Sequence, residues 1–410
     1  MRFSRFAPIV ATALTSLALS LASAAPPAIA ADAAPGLKAR PATHAPPGRE
    51  RHGWRQSMFD PAHDGFNASE GGIGPGNVGT LTKIWEQPLG IFTAYASPIV
   101  AGGRVFVGDD LSSLHAFDAA TGRPIWSATA EDFFQASPAY ARGVVLANPI
   151  YGPLHAYNAD TGDERWTVSC SGGFRAPPLL SRGEIVAACF DGTVYALDGQ
   201  SGAARWSTSV GCCIYDQAPA ARDGVIYQLS TAHTLTALKQ ATGKRLWSVP
   251  AFAVGTVAVG RGLVYYNDYP NVVAVDAGTG ATVWEAPVLD VQPDGSPAVA
   301  GGMVIVQAGS RLVALDEATG HTRWTAAASS SIGPVVANGV VYASSSTSNY
   351  VSQWDAYDAA TGEPLATFHT SGGVCKFGDC TRVVPVVADG KLFLAGPGPQ
   401  IVAFGLPSAG

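Results

Sequence analysis

From about residue 80 onward the chain alternates short apolar runs with glycine-bearing turns, and it lacks the three-to-four-residue apolar spacing of an amphipathic helix. One unit shows the pattern: APPLLS, a turn at Gly183, EIVAACF, an Asp-Gly turn, TVYALD, a turn at Ser201-Gly202, then ARWSTSV. Four strands of this kind recur with a period of roughly forty residues, which describes a propeller blade rather than a helical solenoid. The shared frame is A-x-D-x-x-T-G-x-x-x-W. Its alanines are Ala116, Ala156, Ala196, Ala237, Ala274, Ala314 and Ala356, with Ala403 in a final QIVAFG. Its tryptophans are Trp85, Trp126, Trp166, Trp206, Trp247, Trp284 and Trp324, and the seventh repeat has Ala366 in that place.

Each frame residue has a physical task. Gly supplies the positive φ of the third turn, Asp or Asn and Thr hydrogen-bond the turn backbone, and Ala leaves room for close packing. The fourth-strand Trp is placed to pack on the neighbouring blade. The last repeat has VVPVVADGKLFLAG and QIVAFG but no fourth strand, while LTKIWEQPLG near the N-terminus is a fourth strand without a repeat. Pairing them predicts an all-β, eight-bladed β-propeller of four-stranded antiparallel blades, closed by an N-terminal strand that leaves no open edge.

The ends and the composition refine this picture. Residues 1–30 run from Arg2 and Arg5 through an apolar stretch to small residues at Ala22-Ser23-Ala24 and Ala28-Ile29-Ala30, as a secretory signal peptide does. Residues 31–53 are rich in Pro and Ala without hydrophobic period and read as a disordered linker, leaving 54–410 for the propeller. The expected product is secreted or periplasmic, has no transmembrane segment after signal removal, and is a monomer. Charged residues make up 14% of the chain, below the roughly 25% of a typical globular protein. With 25 basic against 31 acidic side chains and no basic run beyond RERHGWR, nucleic acid is not the expected partner.

In a four-stranded meander the loops between second and third strands, and those between blades, emerge on one face. Ligands belong there, and the partner expected is a protein or a small-molecule or carbohydrate ligand. All six cysteines fall in or beside these loops, and export permits disulfides. Cys375 with Cys380, Cys212 with adjacent Cys213, and Cys170 with Cys189 is one of fifteen possible pairings. His115 and His155 share one repeat position and read as structural. GPGNVG at 74–79 has neither the strand nor the helix that a nucleotide loop needs, and Asn67-Ala68-Ser69 is a bare glycosylation sequon. The seventh repeat inserts SSSTSNYVSQW and carries the off-frame Trp354, so a site is expected between that insert, the 375–380 loop and the cysteine pair. Tyr350, Trp354, Phe377, Cys212, Cys213, Asp216 and Asp268 are its expected members.

The repeat frame resembles the tryptophan-docking repeat of the pyrroloquinoline-quinone (PQQ) propellers, and GWRQSMFDPAHDGFNASEGGIGPGNVGTLTKIW resembles the leader of exported members. That superfamily contains quinoprotein alcohol dehydrogenases and also propellers without cofactor. The resemblance therefore implies either a non-catalytic binding or scaffold module or a PQQ-dependent enzyme oxidising an alcohol, sugar or polyol. Under the second reading the cofactors are PQQ and calcium. Cys212-Cys213 would form the vicinal disulfide wall of the PQQ site, with Asp216, Asp268 and Trp354 around the cofactor. Asn267 or Asp268 would have to replace the family's calcium-binding Glu, because that loop reads NDYP. Blade six offers only QAGSR where the family's Asn and Trp are expected, and no C-x-x-C-H serves onward electron transfer. The non-catalytic reading is the one favoured.

Overall fold

The computed structural model describes residues 53–407 apart from 91–95, 254, 292, 294, 329–331, 347–350, 375–382 and 397–398. The expected signal peptide and nearly all of the linker, the Cys375–Cys380 clip, Tyr350 and Phe377 lie outside the described residues.

Eight antiparallel blades form the molecule, and among the described residues the one helical element is a 3-10 turn at Val78–Thr80. No described helix is long and apolar enough to cross a membrane. In the first seven blades the four principal strands follow one another from the axis outward. The eighth takes Val386–Ala388, Lys391–Ala395 and Gln400–Gly405 from the C-terminal end, and its outer strand is Thr82–Pro88, with Trp85 opposite Ala403. Closure by the N-terminal strand removes the edge that a three-stranded last blade would expose. Second strands such as Met303–Ala308 are buried on both faces because blades pack on both sides of them, whereas outer strands such as Ala204–Ser209 are largely exposed.

The frame residues interlock in two directions. Within a blade the frame Ala lies directly opposite the Trp, as in Ala196 with Trp206 and Ala314 with Trp324, and a bulge follows the Ala. Between blades each Trp ring covers the turn glycine of the next: Trp85 over Gly122, Trp206 over Gly243, Trp324 over Gly362. Across all seven such glycines a Cβ would approach ring carbon atoms to 2.5–2.8 Å, and each has positive φ, so both space and backbone demand Gly. Six of the tryptophans also donate their Nε1–H to the carbonyl after the turn's first residue, as Trp324 does to Ala359 at 3.0 Å. The turn itself is held by the frame Asp: Asp316 Oδ1 accepts the Thr319 amide at 3.0 Å and its hydroxyl at 2.9 Å.

The leader forms a second, inner ring. From Trp54 to Asn67 it meets the first strand of all eight blades in order, through hydrogen bonds of 2.5–2.8 Å. The amides of Val100, Tyr140, Ala221, Val259, Val299 and Val336 donate to the carbonyls of Trp54, Arg55, Pro61, Ala62, Asp64 and Gly65. Leu180 donates to Gln56 Oε1, and Asn67 Nδ2 donates to the Val387 carbonyl. Phe66–Asn67 adds a short parallel strand to blade seven. Turning this tightly about the axis puts Met58, Phe59 and His63 at φ of 52°, 77° and 52°. The strain costs of order 1 kcal/mol apiece and is offset by the inter-blade bonds. Asn67 is fully buried with its amide bound, so the folded chain offers no sequon there.

Candidate functional site

The loop-face end of the axis opens into a funnel of about 330 Å³. Each blade lends it the residues just before its first strand: Ser97, Ser137, Pro177, Tyr215 with Asp216, Thr256, Ser296, Gly333 and Val384. Ser57 and Met58 of the leader also line it. The inner ring lies between the axis and the blades, and its Ser57 and Met58 reach the funnel.

Its hydroxyls are fixed by the ring closure. Ser97 Oγ accepts the Val384 amide across the blade eight to blade one junction at 2.8 Å, Thr256 Oγ1 accepts that of Ala218, and Ser296 Oγ accepts that of Thr256. The cationic group is Arg175, from the CSGGFR loop. Its guanidinium lies 4.4 Å from the Tyr151 ring centre, 4.0 Å from that of Phe190 and 5.2 Å from that of Tyr215. These rings belong to three loops on either side of the Arg175 loop, and two disulfides lie among them. Cys170–Cys189 ties the Arg175 loop to the strand end that precedes Phe190. Cys212–Cys213 sits two residues before Tyr215, where Thr231 donates its amide to the Cys213 carbonyl at 2.9 Å.

The expected site residues separate. Asp216 lines the funnel, and the cysteine pair stands beside it with Cys212 exposed. Trp354 does not belong to a ligand wall: it is fully buried in the blade-seven and blade-eight core with Tyr342 and Phe368. Asp268 accepts the Phe252 amide at 3.0 Å outside the funnel lining. Asn267 is buried and donates to the Gly295 carbonyl at 2.8 Å, anchoring the next inter-blade loop. Asn148 and Gln307 hold the same strand position and make the same kind of bond, to Phe174 and Ala328. Asn267 is thus a repeat feature. Among the described residues no three His, Cys, Asp or Glu side chains gather as a metal site. Arg175 and its aromatic cage were not singled out from the sequence; the signal was a lone Arg among loop residues facing three aromatic loops.

On the axis away from the funnel, burial raises the carboxyls of Asp60 and Asp64, with mutual repulsion adding to Asp64, while Arg222 opposes both. Burial pulls His63 down to about 3. These groups serve the inner ring and do not line the funnel.

Comparison with known proteins agrees with the architecture. BamB from Moraxella catarrhalis superposes with a TM-score of 0.65 at 18% identity, covering 79% of this chain and 99% of that one. Quinohemoprotein alcohol dehydrogenase from Comamonas testosteroni superposes at 0.69 with 15% identity, covering 87% and 82%. A europium-containing methanol dehydrogenase gives 0.67 at 13%, covering 87% and 99%. At such identities the likeness is one of fold. No curated protein sequence matches. The PQQ-repeat family profile described as "Outer membrane protein assembly factor BamB" matches residues 53–150, 138–250, 231–352 and 309–406, and the chain belongs to that family.

Proposed function

We propose that this chain is an exported, non-catalytic binding or scaffold propeller that takes its ligand or protein partner at the loop face. One observation carries the reading. The described residues give the funnel hydroxyls and one caged Arg, while the residues that calcium-assisted quinone chemistry would need have other duties. Asn267 secures a loop, Asp268 caps an amide outside the funnel, and Trp354 is core. These residues do not fit a PQQ and calcium site, and no reaction step is assigned to one. Asp216 and Arg175 bring charge to the funnel, and among the described lining residues no second carboxylate or histidine stands beside them.

The second reading, a PQQ-dependent dehydrogenase of an alcohol, sugar or polyol, has the Cys212–Cys213 disulfide beside the funnel in its favour. Adding PQQ and calcium to the purified protein separates the two. The non-catalytic reading expects no quinone absorbance after desalting; a retained stoichiometric chromophore would replace it with the enzyme reading.

A further inference from the structure

The surroundings of Arg175 go beyond a general binding face. Its Nε is buried and has no hydrogen-bond acceptor among the described residues, and no carboxylate there pairs with it. With no carboxylate partner among the described residues, the guanidinium that lines the funnel keeps its charge uncompensated, and a planar carboxylate is the group it matches. Three aromatic rings hold the group in position, so little side-chain freedom remains to be lost when an anion arrives. The disulfides on either side brace the loops that carry it.

The rest of the funnel narrows the ligand class. Ser97, Thr256 and Ser296 each spend an acceptor position on a backbone amide, which leaves the hydroxyl proton to donate. Apart from Asp216, whose carboxylate can accept a ligand hydroxyl, these side chains and Arg175 are donors and suit a ligand rich in oxygen acceptors. Its volume of about 330 Å³ is small for a ligand pocket, which suits a single sugar or the end of a chain. Tyr215, which lines the funnel and is 45% exposed, offers apolar surface to a ligand.

We infer that the funnel binds a sugar acid, its carboxylate on Arg175 and its hydroxyl oxygens facing the Ser and Thr donors. The ligand is either a free monosaccharide acid or the acidic end of a glycan. This rests on the reading of the funnel as a binding site.

Titration calorimetry on the full secreted chain tests it with D-glucuronate, neutral D-glucose and a disaccharide ending in glucuronate. Saturable one-to-one glucuronate binding is expected, with glucose at least about tenfold weaker. Arg175→Gln should lose at least about tenfold for glucuronate, and Arg175→Lys should lose less because it keeps the charge without the planar guanidinium. Disaccharide binding as tight as the monosaccharide's assigns a glycan end, and binding of the monosaccharide alone assigns the free acid. Equal affinity for glucose and glucuronate, no glucuronate binding, or unchanged affinity in a folded Arg175→Gln protein overturns the inference. The Lys variant carries the test if the Gln variant does not fold. Glucuronate failure together with retained PQQ would remove the non-catalytic reading as well; failure without PQQ retention removes the sugar acid alone.

Discussion

Seven blade junctions and the eighth solve one packing problem by different means. At seven, a Trp covers the turn glycine of the next blade. At the junction from blade seven to blade eight the Trp position is Ala366, and the reason lies in the partner rather than in blade seven. The third and outer strands of blade eight come from opposite ends of the chain, Gln400–Gly405 and Thr82–Pro88, so no hairpin turn stands there for an indole to cover. The gap is filled by leader and core instead. Val78 is buried, Gly79 runs along the Leu365 carbonyl, and Phe368 packs on Phe404 at 5.4 Å between ring centres. The missing Trp is thus a consequence of ring closure, and blade seven is docked by a substitute contact.

The largest effect expected from breaking this comparison is removal of the N-terminal segment. Deleting residues 1–90 takes away the outer strand of blade eight, the inner ring and the Val78 contact together, and the cooperative melting transition should disappear. An unchanged melting curve would refute the closure. Next comes Trp324→Ala, which removes a nearly buried indole, its bond to Ala359 and its cover over Gly362. A loss of about 3–5 kcal/mol in denaturant unfolding is expected. Gly362→Ala and Gly390→Ala sharpen the point. Both sites have positive φ, but a Cβ meets the Trp324 ring at the first and open space at the second. Gly390→Ala should cost about 1–2 kcal/mol from the left-handed backbone alone, and Gly362→Ala clearly more.

A smaller effect separates the inner ring from the blades. Burial first, and Asp60 second, raises the Asp64 carboxyl, so the folded chain holds a proton that the unfolded chain releases. The stability this group confers is present below the ordinary carboxylate value of about 4 and is lost as pH rises above it. His63 acts in the other sense: its pKa is lowered by burial to about 3 from 6.5, and its contribution is lost as pH falls through that interval. Asp64→Asn retains the oxygen that accepts the Phe66 amide and removes only the titration. Its melting temperature relative to the parent should rise steadily from pH 4 to pH 8, and a pH-independent difference would discard the assignment. The smallest effect is Ala366→Trp, which should give no gain in melting temperature because no turn glycine lies beneath it.

Blade number, strand order and closure were legible because the A-x-D-x-x-T-G-x-x-x-W frame fixes bulge, turn and docking in each repeat. The inner ring was not. WRQSMFDPAHDGFN has no two- or three-residue period, since its bonding partners are set by the eightfold axis rather than by a regular element. Trp354 was misplaced although its address was readable. In VSQWDAYD it lies two residues before the frame Ala356, and strand alternation puts both on the face packed into the core. Asn267 could have been sorted in the same way, by noticing that Asn148 and Gln307 stand at its repeat position. Arg175 has no repeat counterpart to compare, because its cage is assembled from separate loops of neighbouring blades rather than from the frame.

The claim that most of this account depends on is that the leader closes the axis by bonding every blade. Amide hydrogen exchange on the intact chain tests it directly, at Val100, Tyr140, Ala221, Val259, Val299 and Val336, whose N–H groups donate to leader carbonyls. If the ring is integral to the fold, all six should exchange only through global unfolding, as slowly as the second-strand amides of Met303–Ala308. Exchange of these six within minutes, with the second strands still protected, would contradict it.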